Sequence, residues 1–196
     1  MKMRNIFLSK LVVSTFIAGS GLFLASCAPV SRSTAVPSDL VCSNNLVRIA
    51  YLLKDAVGPS GAWYPKRLNE LPNSVNPSLF ICQGTGSHAG RMADIDDWTD
   101  LIYVGNLTDD FVMHVALVIS PPENHSGSYG YVLFAEGDVC RLASQEVRQL
   151  INDPFSEATL AYSASDTPDN VAGEKHRAII NIPRKYRAMY TKHELK

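Results

Sequence analysis

The sequence lacks an apolar run long enough to cross a bilayer. Its longest, residues 11–25, has 15 residues, where a spanning helix needs about 20. It has only four cysteines, with no C-x-x-C and no Cys/His spacing of the zinc-finger kind, so locally spelled redox and metal motifs are absent. The glycine-rich stretch 84–90 is not followed by Lys-Ser/Thr; it is therefore no phosphate loop and reads as a surface loop. The Asp cluster around Trp98 lacks the Gly and closing Glu of an EF-hand loop. Basic residues are not in excess. Residues 27–160 carry 8 Lys/Arg against 15 Asp/Glu, which argues against a nucleic-acid-binding body.

What is present begins with a processing segment. Lys2, Arg4 and Lys10 form a basic start, the apolar run follows, and Leu24-Ala25-Ser26-Cys27 closes it with small residues before a cysteine. Residues 1–26 read as a secretory signal. The closing tetrapeptide resembles a bacterial lipobox, which implies lipidation of Cys27 as the first residue of a mature lipoprotein. Ala28 follows the cysteine, leaving outer-membrane sorting open. Residues 27–38 are Ser/Pro-rich and read as a tether. Residues 161–196 carry 7 basic and 4 acidic residues and are expected to be a basic, partly disordered tail, with the globular domain at 39–160.

With Cys27 assigned to lipid, Cys42, Cys82 and Cys140 remain. Export permits a disulfide, and three thiols suggest one pair and one buried thiol. Sequence does not fix the connectivity; Cys42–Cys82 is the favoured pair.

Ser38 is a candidate N-cap with Asp39 in the first turn. Cys42, Leu46, Ile49, Leu53 and Val57 then recur at helical spacing, with Val47 and Ala50 widening the stripe. Gly58-Pro59 stops the helix. Residues 58–100 are loop-rich, with a short apolar run, Leu79-Phe80-Ile81-Cys82, as a candidate edge strand. Asp94, Asp96, Asp97 and Asp100 could offer hard oxygen ligands to calcium, although a solvated acidic loop is the favoured reading. Residues 101–104 and 111–119 read as strands, the second containing His114, for which a satisfied core role is expected.

The stretch 124–142 reads as a β-hairpin turning at Gly137, with Glu136 and Asp138 facing solvent and Val132, Phe134 and Val139 packed on the helix face of Leu46, Ile49 and Leu53. Ser144 opens a short helix to Asn152. Ile179-Ile180-Asn181-Ile182 is a brief apolar run that could add an edge strand, with no fixed place. One helix followed by consecutive strands is an α+β plan: an N-terminal amphipathic helix on a three- to four-stranded antiparallel sheet, with a short C-terminal helix.

These residues resemble type IV pilin-like proteins, including type II secretion pseudopilins and the related group with a His…Asp-Gly motif. Cys42-Ser43-Asn44-Asn45-Leu46, Tyr51, Asp55 and Tyr64-Pro65 are similar to the segment that follows the hydrophobic helix in that group. His125, Glu136 and Gly137, with Val132-Leu133-Phe134-Ala135, are similar to its hairpin signature. The resemblance spans about 39–152. The chain departs from the group where Glu136 and Asp138 replace its usual Asp and His, and in placing ten residues between His125 and Glu136. It also lacks the prepilin processing site and the long hydrophobic helix that packs subunits into filaments.

The resemblance implies a pilin-like fold without filament assembly. The expected function is a non-enzymatic, lipid-anchored lipoprotein of the cell envelope, periplasmic or outer-membrane, working with other envelope or secretion proteins and not with nucleic acid. The alternatives are a calcium- or carbohydrate-binding envelope module, and a cysteine hydrolase pairing Cys82 with His88 or Cys140 with His125.

Overall fold

The computed structural model describes residues 37–57, 63–108, 115–156, 173 and 175–190. The signal segment, Cys27 and nearly all of the tether, Gly58-Pro59, and His114 lie outside the described residues.

Helix α1 spans Pro37–Val57. It opens at Pro37 rather than after Ser38, since proline's fixed φ suits a first helical position. Cys42, Leu46, Ile49, Leu53 and Val57 are buried because spacings of three and four residues return side chains to one face. Burying a Leu or Ile contributes about 1.5–3 kcal/mol, so this stripe holds the helix in place. Val47 is a correction: it is exposed, together with Leu40 and Tyr51 on the outer side.

The chain from Trp63 to Asp100 is mostly 3-10 turns. The run expected as an edge strand is one of these, Pro77–Phe80. Pro77 has no N–H for a ladder, and the Asn76 side chain accepts from the Ser78 N–H at 3.0 Å and the Ser78 hydroxyl at 2.8 Å. A four-residue helix, α2 (Ile95–Trp98), stands where a solvated acidic loop was expected, because Ile95 turns fully into the core.

The fold is α+β with a five-stranded antiparallel sheet. The strands are β1 (Ile102–Gly105), β2 (Ala116–Ser120), β3 (Tyr129–Phe134), β4 (Val139–Ala143) and β5 (Ile179–Asn181), ordered β4-β3-β2-β1-β5. The β3–β4 hairpin turns where expected: Gly137 has φ 104°, a left-handed value that favours glycine, and its N–H donates to the Phe134 carbonyl at 2.9 Å. Glu136 and Asp138 are exposed there.

The expected three or four strands become five, because the apolar run that could add an edge strand forms β5 within the expected basic, partly disordered tail. Tyr103, Val104 and Gly105 pair with Asn181, Ile180 and Ile179. An open β1 edge would leave backbone groups without ladder partners, and three residues suffice to cover it. Beyond β5, α4 (Arg184–Tyr190) buries Tyr186 and Tyr190. Three residues of strand are too few to show alternation, so this segment left no pattern to read.

The sheet is covered on both faces, which changes the hairpin packing. Successive strand residues point to opposite sides. Tyr131, Leu133 and Val139 face the α1 side, as expected for Val139 alone. Val132 and Phe134 face a second cluster with Cys140, Tyr186 and Tyr190, and with Val147 and Ile151 of α3 (Ser144–Asn152). The α3 helix starts after Ala143, whose N–H donates to Glu146 at 2.9 Å.

Candidate functional site

A buried polar cluster lies where α1, the turn after Phe80, the end of β2 and the turn Pro122–His125 converge. Cys42 comes from the second turn of α1, and Cys82 precedes the turn Gln83–Thr85. Ser120 ends β2. His125 is carried inward because Pro121 and Pro122 start a 3-10 turn that Ser126 closes at φ 59°. Cys42, Cys82 and His125 are 2%, 1% and 6% exposed.

The two sulfurs are thiols in contact, 2.9 Å apart. Each lies 3.9 Å from Nε2 of His125. Ser120 Oγ is 2.9 Å from the same nitrogen and 3.7 Å from the Cys42 sulfur. The imidazole stacks on Tyr129 at 5.0 Å and meets the edge of Tyr131 at 5.1 Å. Arg141 covers the Tyr129 ring at 3.7 Å. The Cys42 thiol donates to the Cys82 sulfur; this hydrogen bond lowers Cys82 to about 5 against the opposing effect of burial, aided by His125 and the Gly84 backbone. The donors around Cys82 thus favour its charged form, against the opposing effect of burial.

Asp100 adjoins this cluster and is fully buried. Its carboxylate accepts from the Cys82 N–H at 2.7 Å, from the Thr85 hydroxyl at 2.7 Å and from the Ser87 hydroxyl at 2.8 Å, and is ion-paired with Lys185. Burial lowers Lys185 to about 8, which still leaves it charged at neutral pH. Asn124 ties the two groups together: its amide donates to the Asp100 carbonyl at 2.8 Å and to Ser120 Oγ at 3.1 Å, while its Oδ1 accepts from Tyr186.

The four nominated calcium carboxylates are not brought together. Asp94 is exposed and ion-paired with Arg91 at 2.7 Å. Asp96 lines a separate cleft with Arg67 and Arg187. Asp97 is exposed, and Asp100 is committed to Lys185. Of the nominated thiol–histidine pairs, neither forms as paired. Cys82 meets His125, His88 is exposed, and Cys140 faces the second cluster. Cys42 and Cys82, the favoured disulfide pair, meet as two free thiols 2.9 Å apart and are not bonded to each other. Sequence reasoning missed Ser120, Lys185 and Tyr186 as members; the Tyr186/Tyr190 spacing of four on a helix was the one signal that could have placed α4 against the core.

No helix among the described residues is long and apolar enough to cross a membrane. Comparison of the chain with family models, with curated proteins and with solved structures finds no match.

Proposed function

We propose that the chain is a lipid-anchored envelope lipoprotein that displays a non-enzymatic, pseudopilin-like domain for binding other envelope or secretion proteins. The reading rests on the signal segment, the lipobox-like end at Cys27 and the hairpin signature around His125, Glu136 and Gly137. One structural observation supports an interaction role above the others. Leu40, Val47 and Tyr51 are exposed on the outer side of α1, Tyr51 at 68%, opposite the stripe that holds the helix to the domain. Spacings of seven and four residues keep them on one helical face, and an aromatic flanked by aliphatic side chains is the composition of a contact anchor.

A thiol-hydrolase reading has one observation in its favour, the Cys82 sulfur 3.9 Å from Nε2 of His125. The burial of both leaves a substrate no path to the sulfur.

The test is site-specific photo-crosslinking from position 51 in intact envelopes. The expected result is a discrete protein adduct that Val47→Arg removes while the domain stays folded. The thiol-hydrolase reading takes its place if no adduct forms and the native protein loses Cys82 to an alkylating agent within minutes.

A further inference from the structure

We propose that Cys42, Cys82 and His125 form a metal site for a borderline d10 dication, with zinc as the ion of choice. Among the described residues these three are a group of potential ligand atoms lying within 4.8 Å of one another, all buried.

The geometry carries the proposal. The three ligand atoms make a triangle with sides of 2.9, 3.9 and 3.9 Å. The point equidistant from its corners lies about 2.1 Å from each, against ideal distances of about 2.3 Å for Zn–S and 2.0–2.1 Å for Zn–N. Two sulfurs on a tetrahedral zinc stand about 3.8 Å apart, so the pair must part by about 0.9 Å, shared between the two side chains, as the ion enters. Ser120 Oγ adjoins the triangle, 2.9 Å from Nε2 and 3.7 Å from the Cys42 sulfur. It is placed to be the fourth ligand or to hold a water in that position.

Charge agrees with geometry. Two thiolates neutralise a dication, so the filled site carries no net charge into an interior that penalises unpaired charge heavily. Asp100 and Lys185 neutralise each other alongside it and leave that balance untouched. Two sulfurs and an imidazole select zinc or a softer ion over calcium and magnesium. The site is closed, as structural zinc sites are, and it joins α1, the turn after Phe80 and the turn before β3. Metal binding would therefore be coupled to folding. Its ligands lie 40 and 43 residues apart in sequence, which is why no local zinc spacing exists to be read.

The test uses the full-length protein, purified in detergent under anaerobic, chelator-free conditions without added reductant. Metal analysis is expected to give one zinc per chain, with Cys42 and Cys82 slow to alkylate until a strong chelator is added. Cobalt exchanged into the site is expected to give sulfur-to-metal charge-transfer absorption. His125→Gln, which keeps a polar side chain of similar reach, is expected to weaken zinc at least tenfold in a competition titration while the far-ultraviolet circular dichroism is retained. An intact mass two hydrogens light, with Cys42 and Cys82 joined in a peptide map, overturns the proposal in favour of the disulfide. So do two accessible thiols with no affinity for zinc, or unchanged zinc affinity in His125→Gln.

Discussion

The carboxylate of Asp100 is fully enclosed and ion-paired with Lys185, a residue 85 positions further along the chain. The pair joins α4 to the turn after Phe80 and lies beside the cysteine–histidine cluster. Asp100 keeps three other donors, so Lys185 supplies its charge balance rather than its only contact.

Lys185→Met leaves that carboxylate without its cation. Breaking a buried pair from one side costs about 3–5 kcal/mol, and the partial exposure of Lys185 places the expected loss at the lower end. Urea unfolding is the measurement. Asp100→Asn combined with Lys185→Met is expected to recover part of the loss, because no unpaired charge remains; equal stability of the single and double variants would count against this account.

A second prediction concerns Gly130 on β3. A Cβ there would lie 2.4 Å from the Ser120 carbonyl oxygen and 3.2 Å from both Val147 methyls. The backbone cannot yield without parting β2 from β3, so Gly130→Ala is expected to cost about 1–3 kcal/mol, read as a fall in Tm. Since Ser120 belongs to the buried cluster, the same variant is expected to disturb the environment of His125, visible in its imidazole NMR signals.

Alkaline stability follows from three phenols. Burial raises Tyr103, Tyr186 and Tyr190 above the ordinary value, the neighbouring Glu123 adding to it for the last two. The folded chain therefore retains protons that the unfolded chain loses above about pH 10. Their contribution is fully present below that pH and is lost as pH rises through the folded values. The denaturation midpoint is expected to hold up to about pH 10 and to fall between there and about pH 12, and Tyr186→Phe to make the fall shallower. A midpoint unchanged over that range would contradict the burial of these hydroxyls.

Ending the chain before Ile179 removes β5 and α4. This takes away Lys185 and two buried tyrosines and uncovers β1. Large apolar side chains contribute about 1.5–3 kcal/mol each, so the expected loss equals much of the 5–15 kcal/mol by which domains are stable. The shortened chain is expected to show rapid proteolysis and a weakened near-ultraviolet circular dichroism signal; resistance equal to the parent would mean that 179–190 is dispensable.

Particular residues show what could be read beforehand. The α1 stripe and the Gly137 turn are local patterns, with a period near four and a glycine between two apolar runs, and both stand in the structure. Val132 and Phe134 were placed on the wrong side because alternation specifies that neighbours face opposite ways without saying which way is the helix. β5 could be read only as a brief apolar run without a place in the sheet, because a three-residue strand has no period. The site was partly legible: Cys42 with Cys82 came from counting thiols, and His125 came from the hairpin signature. Their meeting is a property of the assembled sheet, as is the burial of Asp100, which looked like one more acid in a solvated group.

The strand order has a consequence for how the molecule is made. β1 lies between β2, which follows it closely, and β5, which arrives more than seventy residues later. Pairings between such distant segments must close a long loop before they are rewarded, and this slows folding. During synthesis β1 through β4 can associate while one edge stays open and Asp100 has no cation. The domain is therefore completed only after residues 179–190 have emerged. Until then it exposes an unpaired strand edge, the state in which a nascent chain is most open to aggregation and most in need of a chaperone.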